Sequence, residues 1–427
     1  MSELAIFGGQ PAVSTSWPTW PLAGKREREL LDEVLSSDMW GGTGLGPKIT
    51  ALNDQFARYC DVSYGAAVAN GTVSMELCLH AWGIGPGDEV VVPAYTFIAT
   101  AVAVHHVGAT PVYADIDPKT LNLDPASFEA AISGKTKAVI PVHIAGHPCD
   151  MDPIMDIAEK RGIKVLEDAA QAHGAIYKGR KTGSLGHVAS FSFQQSKNMQ
   201  SGEGGILVSN DRDLIDLVHY SIGKFGRGVR EKYAGHIHYR FGFNACYTEL
   251  QAALALAQLE RLEEQTQKRA EKAKILYSLL INVEGIEPLV WQPYCTRHGH
   301  HLFLMRFRSE AFEGVRLAQF LAALNKEGVP SSSLYPMPLY EQPLYREASP
   351  LPMRAVSCPV TEEICTEMAF IEQNLLLADT GPVERIAGAI RKLREKADEL
   401  RDIKVSDTAF MGSATLKKAQ ETAGGEN

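Results

Sequence analysis

Short runs of consecutive apolar residues alternate with longer amphipathic stretches over the first half of the chain. The apolar runs predict strands at DEVVVPAYTF (88–97), ATPVYADI (109–116), TKAVIPVHI (136–144), GIKVLEDAA (162–170) and VASFSF (188–193). Helical periodicity predicts helices at VSMELCLHAWGI (73–84), FIATAVAVHHV (97–107) and MDPIMDIAEKRG (151–162). Strands that are apolar throughout and alternate with helices predict an α/β fold with a mainly parallel sheet covered on both faces. In such sheets, ligands bind at the carboxyl ends of the strands.

The pattern changes after residue 245. A stretch without Gly or Pro, from residue 248 to residue 280, predicts one long amphipathic helix that leads out of the large domain. Mixed strand-like and helical runs over 285–400 predict a smaller α/β domain. In the N-terminal part, residues 25–37 predict a helix and WGGTGLGPKI (40–49) predicts a glycine loop. We therefore divide the chain into an arm (1–24), a large domain (25–255), a small C-terminal domain (256–402) and a frayed polar tail (403–427).

Composition and charge exclude several classes of function. The chain has 427 residues, of which 22% are charged, and its formal net charge is −9. Nucleic-acid binding is disfavoured because it depends on clustered Lys and Arg, and no basic stripe is present. We expect no signal peptide, because the N-terminus lacks a basic region followed by a long apolar run, and no membrane span, because no apolar run reaches about 18 residues. Seven cysteines without a CxxC pair indicate reduced thiols in a cytoplasmic protein, and neither a disulfide framework nor a zinc site.

One lysine stands in an unusual setting, in FSFQQSKNMQSGEGG (191–205). A short apolar strand ends, Lys197 follows, and three glycines come within the next eight residues. Lysine amines bond to carbonyl groups, including the aldehyde of pyridoxal phosphate (PLP). A PLP site also needs a carboxylate for the ring nitrogen, a surface against the ring, a donor for the ring oxygen and an anion-binding helix start for the phosphate.

Polar residues at the ends of predicted strands and at a helix start are candidates for these roles. Asp168 ends an apolar strand and is the candidate carboxylate, although such a residue also serves as a helix N-cap. Gln171 lies three residues further on, where a solvated polar residue is the alternative. Tyr95 follows another strand and is the candidate surface for the ring, with an ordinary core position as the alternative.

The candidate phosphate site lies at the start of the helix predicted from ANGTVSMELCL (69–79). Gly71 and Thr72 would point their backbone N–H groups at an anion, which the helix dipole favours. An ordinary helix start fits the same residues. Ser192, five residues before Lys197, has a hydroxyl that could reach the phosphate or instead find a backbone partner.

Three segments, EDAAQAHGA (167–175), SFSFQQSKNMQSGEGG (190–205) and GFNACYTELQAALALAQLERL (242–262), resemble the DegT/DnrJ/EryC1/StrS sugar aminotransferase family. The resemblance covers residues 25 to 395. It implies a fold-type I PLP enzyme that is a dimer, with a large seven-stranded domain and a small C-terminal domain. Small-molecule amino donors and keto acceptors are the partners that it implies.

The resemblance also implies roles for individual residues. Lys197 would form the Schiff base with PLP and move the proton between the cofactor and the amino carbon. Asp168 would pair with the pyridinium nitrogen, Gln171 would contact the ring oxygen, and Tyr95 would stack on the ring.

The phosphate is implied to bind residues of two subunits. Gly71, Thr72 and Ser192 would hold it from one chain, and Asn244 would reach it from the other. The active sites of the homodimer would therefore be shared.

The implied reaction is transfer of an amino group from glutamine or glutamate to a cyclic polyol ketone or a nucleotide-linked keto-sugar. Most members of the family have His at the position of Gln194. In this respect the chain resembles the subgroup of inosose aminotransferases and aminohydroxybenzoate synthases. A dehydratase or aromatase of the latter type is therefore an alternative. A PLP-binding regulator without turnover is another, since Cys246 stands where the family usually has Arg. Further candidates for substrate contacts are His236, His238, Tyr335 and the residues near Trp40.

The run HGHH (298–301) could suggest a metal site. No further ligand type lies nearby in sequence, so we expect no metal.

Overall fold

The computed structural model describes residues 3–41, 46–228, 237–347 and 351–405. Its strands are β1 (Tyr64–Val68), β2 (Glu89–Pro93), β3 (Thr110–Ala114), β4 (Thr136–Val139), β5 (Lys164–Asp168), β6 (Ile176–Tyr177), β7 (Arg180–Lys181), β8 (Val188–Ser192), β9 (Gly205–Ser209), β10 (Ile286–Pro288), β11 (Cys295–Arg297), β12 (Leu302–Phe307), β13 (Ser331–Ser333), β14 (Arg354–Ala355) and β15 (Met368–Glu372). Its α-helices are α1 (Lys25–Leu35), α2 (Pro47–Tyr59), α3 (Gly71–Ala81), α4 (Ala99–His106), α5 (Pro125–Ala131), α6 (Met151–Arg161), α7 (Arg212–Asp216), α8 (Glu249–Leu280), α9 (Leu317–Lys326), α10 (Pro343–Arg346), α11 (Pro359–Ile364), α12 (Thr380–Glu395) and α13 (Ala397–Leu400).

The large sheet has eight strands in the order β1-β9-β8-β5-β4-β2-β3-β14. Seven of them lie between residues 64 and 209, and β14 adds two residues at the edge from the C-terminal part. Only β9 is antiparallel to its neighbours, β1 and β8, while the remaining pairs are parallel. The predicted α/β fold with a mainly parallel sheet is therefore confirmed.

The apolar runs bury both faces of this sheet. In β2, Val90 and Val92 pack into a cluster with residues of α3 and α4, while Val91 packs into a second cluster with residues of α5 and α6. Successive side chains of a strand point to opposite faces, so a strand covered on both sides reads as apolar throughout.

Three strands of the large sheet, β1, β9 and the two-residue edge strand β14, were not predicted from the sequence. β1 reads YGAAV and lacks the β-branched run that marks a strand, and β9 directly follows the glycine-rich segment after Lys197. The glycine loop predicted for 40–49 is wrong at its end, because Pro47 opens α2. Residues 42–45 of that loop lie outside the described residues.

A second sheet, β10-β12-β15-β13, is antiparallel and packs against α8, α9 and α12. Leu4 and Val13 of the arm are buried in the same core, so the arm is part of this unit. α8 is continuous and contributes Ala252 to the core under the large sheet and Leu276 to this second core. The proposed domain boundary at residue 255 falls within this helix and stays a prediction.

Two further findings concern the remaining predictions. No helix within the described ranges is long and apolar enough to cross a membrane. Of the predicted tail, residues 406–427 lie outside the described residues.

Candidate active site at the carboxyl edge of the sheet

The topology brings the predicted residues to one edge of the large sheet. Asp168 ends β5 and Ser192 ends the adjacent β8. β1 runs parallel to β8, because both are antiparallel to β9, so α3 begins at the same edge with Gly71. Lys197 lies in the connection from β8 to β9, which crosses this edge.

Lys197 lies in a turn held by its own neighbours. Its N–H donates to the carbonyl of Gln194 at 2.9 Å. The side chain of Asn198 donates to the carbonyl of Gly299 at 2.6 Å, which fixes the turn against the loop before β12. Burial lowers the pKa of the Lys197 amine to about 8, and the charge of Asp168 opposes this shift. A much larger fraction of this amine is therefore neutral near pH 8 than for a surface lysine.

Asp168 is 5% exposed and its carboxylate is oriented by two donors. The hydroxyl of Thr100 donates to Oδ2 at 2.8 Å, and the N–H of Ala170 donates to Oδ1 at 3.2 Å. Burial raises the pKa of Asp168, while these hydrogen bonds and the charge of Lys197 oppose the rise. No helix begins after Asp168, so the N-cap interpretation is wrong.

Gln171 is 6% exposed and its amide has a fixed orientation, so it is not a solvated polar residue. Its Oε1 accepts a hydrogen bond from the N–H of Ala145 at 2.6 Å, and its Nε2 donates to the hydroxyl of Tyr335 at 3.2 Å. Ala145 adopts a left-handed conformation with φ +54°, which is uncommon for a residue with a side chain. The turn before Gly146 thus presents an N–H to Gln171.

Tyr95 is 1% exposed and has an unusual combination of properties. Its ring lies in an apolar cluster with Ile116 and Val142, as expected of a core residue. Within the described residues its hydroxyl makes no well-aligned hydrogen bond, although it faces the backbone N–H of Tyr335. The ring of Tyr335 meets that of Tyr95 edge-on, with the centroids 5.3 Å apart.

The start of α3 forms a cradle with no room for side chains. A Cβ atom on Gly71 would lie 3.0 Å from Cβ of Ser192, and one on Gly205 would lie 2.6 Å from the backbone nitrogen of Gly71. The side chain of Asn70 caps the helix by accepting from the N–H of Val73 at 2.9 Å. The first N–H groups of a helix have no partner within it, so they are free to bind an anion here.

The two hydroxyl residues of the cradle differ in exposure. Ser192 is buried and its Oγ accepts from the N–H of Gln194 at 3.3 Å, so it has the backbone partner that the alternative required. That hydroxyl still has a proton to donate. Thr72 is half-buried on the first turn of α3.

Asn244 lies on an exposed loop next to the cradle. The carbonyl of Ala245 accepts from the N–H of Ala69 at 3.1 Å, which attaches this loop close to the start of α3. The side chain of Asn244 is exposed on the single chain. Its contact with a second subunit stays a prediction.

The candidates for substrate contacts lie in different surroundings, and their contact with substrate stays a prediction. Tyr335 reaches the site through Gln171. Trp40 is exposed and donates its indole N–H to Leu35, and His238 is exposed and contacts the carbonyl of Phe225. His236 lies outside the described residues.

A buried pair beside Asp168 was missed by the sequence reasoning. Glu167 accepts from the N–H groups of Gly183, Leu185 and Gly186 at 2.8–3.0 Å. His143 is 2.9 Å from Glu167 through Nε2, and its Nδ1 accepts from the N–H of Cys149. The proton therefore lies on Nε2 and points at Glu167. In the sequence, two adjacent carboxylates, Glu167 and Asp168, end the predicted strand, and this could have indicated that Glu167 also has a buried partner.

The HGHH run packs between the lysine turn and the turn at Ala145. The N–H of Gly299 donates to Gly146 and that of His301 donates to Ala145, each at 2.8 Å. The rings of His298 and His300 are stacked 4.0 Å apart, and burial lowers the pKa of both. Within the described residues, no group of three or more His, Cys, Asp or Glu side chains could hold a metal ion.

A partly neutral lysine amine can bond to a carbonyl carbon, and the cradle beside it suits a compound that also carries a phosphate. The site thus has the features of enzymes that attach such a compound to a lysine. The family described as DegT/DnrJ/EryC1/StrS aminotransferase matches residues 21–391. The chain belongs to this family and is an aminotransferase.

Relatives and solved structures extend this similarity. L-glutamine:2-deoxy-scyllo-inosose aminotransferase of Streptoalloteichus tenebrarius is 34% identical over 426 residues, with 93% of this chain and 99% of the relative covered. GDP-perosamine synthase of Caulobacter vibrioides is 41% identical over 305 residues, with 71% and 80% covered. The crystal structure of 3-amino-5-hydroxybenzoic acid synthase is similar with a TM-score of 0.81 and 31% identity, over 88% of this chain and 98% of that one.

Proposed function

We propose that this aminotransferase binds PLP through Lys197 and transfers an amino group from glutamine or glutamate to the ring ketone of a cyclic polyol or keto-sugar. The observation that carries the proposal is the Lys197 amine, whose pKa is lowered to about 8, in the same edge of the sheet as the Gly71 cradle. An aldehyde that carries a phosphate fits both features at once.

The residues of the site fit PLP in further respects. Asp168 is a buried carboxylate, and burial raises its pKa. A protonated ring nitrogen beside it would favour the charged carboxylate and so offset the effect of burial. The amide of Gln171 directs its Nε2 donor group towards Tyr335. This group would donate to the ring oxygen of PLP. The ring of Tyr95 lies in a cluster where the cofactor's aromatic ring would find apolar neighbours. Tyr95 would pack against the cofactor ring.

Gly71 and Thr72 would hold the phosphate with backbone N–H groups, and Ser192 would hold it with its hydroxyl. These donors are oriented before the ligand binds, so little ordering of the chain is required. PLP, when bound, withdraws electrons from the amino carbon and makes its proton acidic. The free amine of Lys197 would take that proton from the α-carbon of the amino donor, and its lowered pKa suits it to return the proton near neutral pH.

The substrate class is inferred from relatives. The inosose aminotransferase that is similar over 93% of this chain has glutamine and a cyclic polyol ketone in its name. GDP-perosamine synthase is named for an amino sugar linked to a nucleotide. The greater coverage of the inosose enzyme leads us to favour a cyclic polyol ketone as the acceptor.

We propose a homodimer with shared sites. Five large apolar side chains of the chain around Asn244 are exposed: Phe225, Ile237, Tyr239, Phe241 and Phe243. Several large apolar side chains exposed in one segment are typical of a protein interface. A second copy that covers it would bring Asn244 to the cradle of its partner. All seven cysteines are free, which supports our expectation of a reducing, cytoplasmic location.

The visible absorption spectrum of the PLP-loaded protein tests the proposed function. We expect a band from the lysine-bound cofactor that is lost when L-glutamine or L-glutamate is added. Subsequent addition of 2-deoxy-scyllo-inosose should restore the band and yield an aminated product. A protein that gives no band with PLP would contradict the proposal.

A second candidate is suggested by the similarity to 3-amino-5-hydroxybenzoic acid synthase. Such an enzyme would release an aromatic product, whereas the proposed reaction releases a non-aromatic cyclic amine. Mass spectrometry of the products distinguishes the two. A band that no amino donor changes would favour the alternative of a PLP-binding regulator.

A further inference from the structure

The N-terminal arm contacts the turn that contains Lys197. The indole Nε1–H of Trp20 donates to the carbonyl of Gln195 at 2.9 Å, two residues before the lysine. The arm is fixed on both sides of Trp20. The carbonyl of Pro18 accepts from Asn374 at 2.9 Å, and the carbonyl of Leu22 accepts from Gln258 at 3.0 Å.

A buried arginine sets the position of the indole ring. The guanidinium of Arg269, on α8, lies 5.4 Å from the centroid of the Trp20 ring. Arg269 is completely buried, its Nε donates to Gln373 at 2.8 Å and its Nη2 to Gln265 at 3.5 Å, and its Nη1 has no hydrogen bond to any residue that the structure describes. Among the described residues no carboxylate forms an ion pair with it. A cation in this situation gains from the face of an aromatic ring, so the ring is held with its N–H directed at Gln195.

The other hydrogen bonds of residues 194–197 are local, and Asn198, the next residue, attaches the far side of the turn to the carbonyl of Gly299. The Oε1 atom of Gln194 accepts from the N–H of Ser196 at 2.8 Å and from its hydroxyl at 2.7 Å. The N–H of Lys197 donates to the carbonyl of Gln194. These bonds define the shape of residues 194–197. The bond from Trp20 connects that shape to the arm and α8.

We propose that Trp20 is a positioning residue that holds the Lys197 amine at the site through the carbonyl of Gln195. The role of this amine rests on the proposed function. The bond to Trp20 keeps the peptide between Gln195 and Ser196 in place, and Lys197 directly follows it. Without the bond, the side of the turn that contains Gln195 can shift while Asn198 stays attached to Gly299, and the amine gains access to water.

The arm offers a matched control. Trp17 also donates its indole N–H to a backbone carbonyl, that of Gly328, at 2.8 Å. That bond joins the arm to the turn between α9 and β13, which does not contain the lysine. Trp17→Phe and Trp20→Phe each keep the aromatic ring and remove one indole donor. Only the second variant removes a hydrogen bond to the lysine turn.

The test is the pH dependence of acetylation of Lys197 by trace acetic anhydride, measured by mass spectrometry on protein without added cofactor. The titratable groups that face the amine are Asp168, His173 and His301. Burial lowers the pKa of both histidines, to about 3 for His173, so neither titrates in the range of the lysine. A change in the midpoint therefore reports the environment of the amine itself.

We expect a midpoint near 8 for the unmodified chain and for Trp17→Phe. In Trp20→Phe the midpoint should rise by about half a unit to one unit, because a better solvated amine holds its proton more tightly. Turnover should fall about tenfold, with the KM of the amino donor unchanged. Hydrogen exchange should increase in residues 193–200 only.

Equal midpoints for the two variants would overturn the proposal. So would a change in Trp20→Phe accompanied by faster exchange throughout the chain, since this would indicate a general loss of stability. The titration is made without PLP, so it can fail while the proposed aminotransferase reaction is intact.

Discussion

The carboxyl edge of the sheet and the loop around Asn244 differ in how completely one chain builds them. At the sheet edge, Asp168 and Gln171 are buried and each has partners on other elements. Along the loop, Asn244 is exposed and Phe241 is fully exposed. The first region is formed within the chain. The second has surface that we propose a second copy covers.

This difference separates two parts of the proposed function. Binding PLP and moving a proton depend on side chains that the fold already orients. Contact with the second subunit depends on residues whose partners are not in this chain. Substitutions at the sheet edge should therefore change chemistry or folding, and substitutions on the exposed loop should change assembly.

The largest effect is expected for Lys197→Ala. Loss of the amine that bonds the cofactor and moves the proton should lower turnover about 10³-fold or more. Steady-state kinetics with glutamine as donor measure this. Lys178→Ala, which removes an exposed lysine paired with Asp152, should stay within about twofold of the unmodified enzyme. Similar activity in the two variants would exclude Lys197 as the essential lysine.

Asp168→Asn should lower turnover about hundredfold, because the ring nitrogen loses its charge partner. It should also lower the pKa of Lys197 below about 8, since the charge of Asp168 raises that pKa. The neutral amine would then be present at lower pH. Acetylation of Lys197 as a function of pH measures the shift. A midpoint that moves upward would show that the two groups do not interact as the structure indicates.

The sequence predicted much of the sheet edge for a local reason. Asp168 and Ser192 end apolar runs, and the end of such a run can be read without knowing its neighbours. Thr100 and Trp20 were not predicted as site residues because their partners, Asp168 and Gln195, lie 68 and 175 residues away. No periodic pattern encodes such pairs. β9 was not predicted because glycines directly precede it. The exposed loop around Asn244 carries no pattern that indicates an interface, because its proposed partner lies in another chain.

Gly205→Ala tests the tight packing of the cradle at the start of α3. The added Cβ would lie 2.5 Å from the carbonyl carbon of Asn70, which should cost about 1–3 kcal/mol of stability and weaken PLP binding. Gly388→Ala, in α12 with open space around it, should instead stabilise the chain by about 0.5–1 kcal/mol. Urea denaturation compares the two. Equal effects would contradict a tight cradle.

The smallest effect on stability is expected for Phe241→Ser. A fully exposed side chain contributes little within one chain, so the free energy of unfolding of the monomer should change by no more than about 0.5 kcal/mol. The dimer should dissociate at higher protein concentration than the unmodified dimer, as measured by analytical ultracentrifugation. An unchanged dimer dissociation constant would mean that the loop lies outside the interface.

Borohydride reduction of the PLP-loaded protein tests the central claim most directly, because it makes the bond between cofactor and lysine permanent. Proteolysis and mass spectrometry then identify the modified residue. We predict that the cofactor is found on the peptide that contains Lys197, and that Lys197→Ala abolishes the modification. Modification of another lysine, with Lys197 unmodified, would contradict the account.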